Sequence, residues 1–234
     1  MNAQRGASNP PRVAELQLNE QRGELKIRLS DGGEFALAPD APEARGLSPG
    51  IVVSAAQRAE LEEAAVRKQI ARHAMRLLDR RAYPRSALRR KLLESTDRVQ
   101  AVDAVLGACE DQGLIDDRQY ARAWCAHQLR RKAVGRRWLR RGLLNLGVAD
   151  GHATAALDAV LPRDAELAQA ARALRRRADD LSAAKHKARA LRFLLGRGFD
   201  RGTAMGVIAQ QLAARGAEPV SGRAEEDEHG VDGS

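Results

Sequence analysis

Two adjoining segments hold the residues best suited to chemistry. In Gly113-Leu114-Ile115-Asp116-Asp117-Arg118-Gln119-Tyr120-Ala121, paired carboxylates beside a phenol could serve acid–base or metal chemistry. The stretch 118–141 (RQYARAWCAHQLRRKAVGRRWLRR) carries nine Arg or Lys and no Asp or Glu. Such a density of like charge repels itself unless a polyanion or a carboxylate-bearing partner lies opposite. Tyr120, Trp124, Leu129, Trp138 and Leu139 interleave the cations, so the stretch reads as folded helix and not as a loose tail. Charge alone fits equally well a solvated face in an arginine-rich chain, which has 34 Arg against 6 Lys.

The carboxylate pair has a simpler structural account. Gly113 is predicted to end one helix in a left-handed cap, and Asp116 to cap the next with Gln119 as its capping-box partner. Ile115 and Tyr120 have the spacing of a hydrophobic staple, and Asp117 falls in the first turn, where the helix dipole favours an anion. His73, His127, His152 and His186 are dispersed and offer no metal-ligand spacing. No Ser/His/Asp arrangement is recognisable. Gly196-Arg197-Gly198 follows a helical pattern and fits a C-cap, not a phosphate loop. No catalytic residue, metal or cofactor is predicted, and the chain is read as a non-enzyme.

Binding is the better use of the cations. In Lys132-Ala133-Val134-Gly135-Arg136-Arg137-Trp138-Leu139-Arg140-Arg141, Gly135 separates two helices and Leu139, Gly142, Leu143 and Leu146 form a buried stripe. Arg136, Arg137, Arg140 and Arg141 fall mostly opposite it. The candidate contact residues are therefore Arg130, Arg131, Lys132, Arg136, Arg137, Trp138, Arg140 and Arg141. Trp138 reads either as core or as an apolar anchor between arginines, and Trp124, among small residues, as core.

These segments need a frame. Aromatic residues are only 3% of the chain, so Ala and Leu must do most of the packing, which favours helices. Strict alternation at Leu16, Leu18, Leu25, Ile27, Leu29, Phe35 and Leu37, with Asp31-Gly32-Gly33 as a hairpin signal, predicts a small meander over 13–38. A Pro/Gly-rich connector at 39–50 follows, and Ser54 with Gln57 opens a long helix. Beyond it the pattern repeats every 51 residues: Leu92-Leu93, Leu143-Leu144 and Leu194-Leu195. Val105-Leu106, Ala156-Leu157 and Val207-Ile208 keep the same offset, as do Gly147 and Gly198, with Thr96-Asp97 in the first unit. Three short helices fit each period, and such units need neighbours to complete a core.

Charge is divided along the chain. Residues 57–216 hold 33 basic and 18 acidic groups, or +15, whereas residues 217–234 hold one and six, or −5. Related basic groups recur at Arg85, Arg89, Arg90 and Lys91, and at Arg175-Arg176-Arg177, Lys185, Lys187, Arg189 and Arg192, a stripe suited to an extended partner. The acidic tail reads as an inert solubilising segment or as a shield for the basic body. Cys109 and Cys125 suggest reduced thiols. No apolar run reaches 18 residues, so no membrane partner is predicted and a cytoplasmic location is expected.

Four motifs in this order resemble the RecX family over about residues 57–212: Ser86-x-Leu88-x-x-Lys91-Leu92, the Gly113–Ala121 segment, Arg131-Lys132-x-x-Gly135, and Gly196-Arg197-Gly198-Phe199. The central segment is the most specific of them, and the others carry weight in combination. The resemblance implies a mainly α fold, an elongated array of three tandem three-helix repeats with a small N-terminal β-hairpin or meander. It also implies a partner, the RecA recombinase filament, whose groove such proteins occupy, restraining ATP hydrolysis, strand exchange and repressor cleavage in DNA repair and the SOS response. Single- or double-stranded DNA is a further candidate partner, and a monomer is expected.

The domains read from these signals are a disordered N-terminus (1–12), a β extension and connector (13–53), repeats at 54–112, 113–163 and 164–216, and a disordered acidic tail (217–234). The alternative function is a stand-alone basic helical DNA-binding protein. Against it, the arginine runs lack the Asn/Gln-rich face expected for base readout.

Overall fold

Alternating apolar side chains build the first element of the computed structural model, which describes residues 10–175 and 184–216. Strands β1 (Val13–Asn19), β2 (Glu24–Leu29) and β3 (Glu34–Leu37) form an antiparallel meander in that order. The register sets Leu16 opposite Ile27 and Ile27 opposite Phe35, which puts the apolar side chains on one face. A register shift between Val13 and Glu15 brings Val13 onto that face as well. At the hairpin, Gly32 has φ +88° and the Asp31 carboxylate accepts the Gly33 N–H at 3.0 Å. Leu18, at the end of β1, is 53% exposed, so the alternation there does not reach the core.

Helix α1 (Ala55–Leu78) starts at a capping box. Ser54 Oγ accepts the Gln57 N–H at 3.2 Å, and the Ser54 N–H donates to Gln57 Oε1 at 2.9 Å. Its first half, through Leu61 and Ala64, covers the sheet together with Val53. Its second half, through Ile70 and Ala74, packs with α2 (Arg85–Leu93) and α3 (Val99–Asp111) around Leu88, Leu92, Val102 and Leu106. Acidic groups of the sheet region engage cations of α1. Arg58 pairs with Asp31 and Arg67 with Glu43. Buried Glu24 accepts from Arg72 at 2.7 Å and has Lys68 Nζ 3.8 Å away. The hydrogen bond from Arg72 holds the Glu24 carboxyl below its usual range, against the opposing push of burial.

The remaining helices are α4 (Asp117–Arg131), α5 (Arg136–Asn145), α6 (Asp150–Val160), α7 (Arg163–Arg175), α8 (Ala184–Gly196) and α9 (Arg201–Gly216). The described residues fall into two compact units. The first runs to Tyr120 and takes in the turn Leu146–Val148; the second holds the rest, from Ala121 onward. In the second unit, Ala133 packs with Ala170, Leu174, Leu194, Phe199 and Val207.

The 51-residue period is visible in burial. Leu92, Leu143 and Leu194 are all at most 1% exposed, and Val102, Ala153 and Ala204 are all fully buried. The second residue of each Leu pair is less enclosed, with Leu144 38% exposed. Gly147 and Gly198 take φ +88° and +85° at their turns. The Thr96-Asp97 turn manages without glycine: Ser95 Oγ donates to the Leu92 carbonyl at 2.8 Å, and the Arg98 N–H to Thr96 Oγ1 at 3.2 Å. Residues 1–9, Arg176, Arg177 and the acidic tail 217–234, for which sequence expectations were given, lie outside the described residues.

Candidate partner-binding surface

Gly113 ends α3 with φ +69°, and the Leu114 N–H reaches back to the Cys109 carbonyl at 2.8 Å. Asp116 then accepts the N–H groups of Arg118 and Gln119 at 2.8 and 3.0 Å, capping α4. Asp117 works on another helix. Its carboxylate accepts the Arg85 N–H at 2.7 Å, at the start of α2, where Pro84 supplies no side-chain cap. Ile115 is buried in the core shared by α1, α2 and α3, and burial raises the pKa of half-buried Tyr120. Both carboxylates thus serve helix ends. Among the described residues, no cluster of His, Cys, Asp or Glu is arranged to hold a metal ion.

The cationic stretch folds into α4, a short loop and α5. Leu139 and Leu143 are fully buried, and Gly142 leaves room for the Trp124 ring, which a Cβ there would strike. Trp124 is half-buried and not core. It stacks on half-buried Trp138 with ring centroids 6.0 Å apart and planes 11° from parallel. Lys132 Nζ lies 5.2 Å from the Trp138 ring centroid.

A glycine contact holds this loop in place. The Gly135 N–H donates to the Arg197 carbonyl and the Arg137 N–H to the Gly198 carbonyl, each at 3.0 Å. The Arg197 guanidinium returns a bond to the Ala133 carbonyl at 3.2 Å. A Cβ on Gly135 would strike the Gly198 carbonyl, and one on Gly198 would strike Trp138. Two glycine motifs far apart in sequence therefore meet as one backbone crossing, and it sets where Arg137 and Trp138 point.

The candidate contact residues have different fates. Arg136 is half-buried and engaged within the fold. It donates to the Leu157 and Leu161 carbonyls at 3.1 and 2.8 Å, pairs with Asp158, and sends its N–H to Glu166 at 2.8 Å. Arg140 is exposed but paired with Asp150 at 2.7 Å. Lys132 and Trp138 come together with Trp124. Arg130, Arg131, Arg137 and Arg141 are exposed, with no ion-pair partner among the described residues.

This division follows the repeat. Arg85 and Arg136 lie 51 residues apart, as do Arg89 and Arg140. Arg85 pairs with Glu110 at 3.0 Å and Arg89 with Asp103 at 2.6 Å, matching the ion pairs of Arg136 and Arg140. The Arg85 and Arg136 N–H groups both end on a carboxylate, of Asp117 and of Glu166. Sequence reasoning missed Glu166, which is 4% exposed and whose pKa burial raises. The signal that could have found it is the repeat itself: the 51-residue offset carries Asp117 to position 168, and Glu166 stands two residues before that, near the start of α7.

Fold and surface define a mainly α protein of repeated helical units with a small N-terminal sheet and a cationic helical face. A family model described as the second three-helix domain of RecX matches residues 116–157. The regulatory protein RecX of one Thermus thermophilus strain is 42% identical over 133 residues, covering 57% of this chain and 85% of that protein. That of Thermobifida fusca is 33% identical over 154 residues, covering 62% and 79%. A crystal structure of a regulatory protein RecX superposes with TM-score 0.71 at 18% identity, over 84% of this chain and 98% of the other. RecX from Lactobacillus salivarius gives 0.57 over 63% and 97%. The chain belongs to the RecX family of regulatory proteins.

Proposed function

We propose that the chain binds the RecA–DNA filament and inhibits the recombinase, ATPase and coprotease activities of RecA in DNA repair and the SOS response. Membership of the RecX family is the observation that carries this reading. The protein works by binding and not by catalysis, as a cytoplasmic monomer. Its working parts are the extension at 13–53 and three-helix modules at 54–112, 113–163 and 164–216.

The contact surface is the α4–α5 face: Arg130, Arg131, Lys132, Arg137 and Arg141, with Trp138 as apolar anchor. Arg136 and Arg140 contribute by holding α5 to α6 and α7. The absence of ion-pair partners for four exposed arginines among the described residues supports this assignment, because guanidinium forks suit phosphates and carboxylates equally. RecA ATPase on single-stranded DNA should fall on adding the protein at sub-stoichiometric amounts. Unchanged ATPase together with equally tight binding to bare DNA would favour a stand-alone DNA-binding protein.

A further inference from the structure

Within the second unit, a cleft of about 840 Å³ opens where the start of α5, the end of α6 and the starts of α7 and α9 converge. Its charges are unequally engaged. Asp158 is paired with Arg136, Glu166 accepts the Arg136 N–H, and Asp200 caps α9 by accepting from Thr203 at 2.9 and 2.7 Å. Arg137 and Arg163 are exposed on the cleft and have no ion pair among the described residues. Pro162 and Leu167 give the wall an apolar part.

We infer that this cleft is a second contact site, taking carboxylate side chains of a protein partner between Arg137 and Arg163. The three carboxylates on its wall argue against nucleic acid. The phosphates of a strand are fixed in its backbone, so seating one between the arginines presses the next against Asp158 and Asp200. Carboxylates on flexible side chains can be seated on the two arginines one at a time, their neighbours turned to solvent or, where apolar, onto Leu167 and Pro162. The α4 cations Arg130 and Arg131 have no acid near them in sequence and suit phosphate better. The cleft supplies protein contact and the α4 ridge phosphate contact. Only the identity of the partner, RecA, rests on the proposed function.

The test uses two probes on the full chain labelled with 15N: hexaglutamate and a thymidine oligonucleotide. Hexaglutamate should shift the Arg137 and Arg163 side-chain signals and the Leu167 and Thr203 amides, whereas the oligonucleotide should shift Arg130 and Arg131. Arg163→Glu should abolish the hexaglutamate response and leave the other intact. This substitution lies at the exposed first residue of α7, where the helix dipole favours an acid and offsets the lost attraction of Arg163 for Glu166. An unchanged circular dichroism spectrum and unfolding midpoint are required of the variant. Hexaglutamate that misses the cleft, or an oligonucleotide that fills it, overturns the inference. Arg163→Glu should also weaken binding to a RecA filament by about ten-fold while leaving bare-DNA affinity within about two-fold. Parent-like filament binding by this variant would equally overturn it. A parent protein that ignores the filament refutes the proposed function instead, and the hexaglutamate result still decides the cleft.

Discussion

Removing the Asp117 carboxylate should destabilise a helix to which Asp117 does not belong. The Arg85 N–H at the start of α2 has this carboxylate as its acceptor at 2.7 Å, in a partly buried position with no other cap. Losing such a cap costs about 1–2 kcal/mol, because the N–H is left without a partner or must recruit water. Asp116→Ala removes the cap of α4 and should cost about 1 kcal/mol. Asp117→Asn keeps an acceptor oxygen and should recover most of the loss. Urea unfolding followed by far-UV circular dichroism would show a lower midpoint with an unchanged slope. If Asp117→Ala is as stable as the parent, the capping argument fails. If it is stable but loses binding to its partner, the carboxylate acts in recognition and the structural reading of the pair is wrong.

Gly198→Ala should destabilise the chain by about 1–3 kcal/mol, since φ +85° and the closeness of Trp138 both oppose a Cβ, and tryptophan fluorescence should change with it; unaltered fluorescence and stability would dismiss the crossing. Glu24 has a lowered folded pKa, so its contribution is present above the unfolded value and lost as pH falls through the folded one. Glu24→Gln should therefore cost about 1–2 kcal/mol at neutral pH and flatten the loss of stability on acidification, and a variant with the parent's acid profile would contradict this. Burial pushes the Cys125 thiol up to about 11, so a thiol reagent at neutral pH should leave it unmodified until the chain is unfolded; rapid labelling of the native protein at Cys125 would contradict its burial.

The caps and the repeat were readable because they depend on neighbours in sequence. Ser54 with Gln57 and Asp116 with Gln119 carry their partners within one turn, and a fixed offset places Leu92, Leu143 and Leu194 in equivalent cores. The meander was equally open to reading, since alternation states which face is buried. What sequence hid was long-range. Nothing local marks Asp117 as a cap for α2 or Glu166 as one for α5. Arg136 and Arg137 are adjacent and identical in type, yet one is engaged by α6 and α7 and the other faces solvent. Trp124 looked like core because its sequence neighbours are small, but the space it fills is the missing side chain of Gly142. Charge density found the segment, and only geometry could separate structural arginines from exposed ones.

Under the proposed function, the exposed arginines of α4 and α5 carry the contact through which the chain restrains RecA. This is tested by inhibition of RecA ATPase on single-stranded DNA by a variant with Arg130, Arg131, Arg137 and Arg141 changed to Ala. The variant should keep the parent's circular dichroism and unfolding midpoint, because Leu139, Leu143 and the ion pairs of Arg136 and Arg140 are untouched. Inhibition should then require at least about ten-fold more protein. A folded variant that inhibits at the parent's concentration would show that these arginines do not carry the contact.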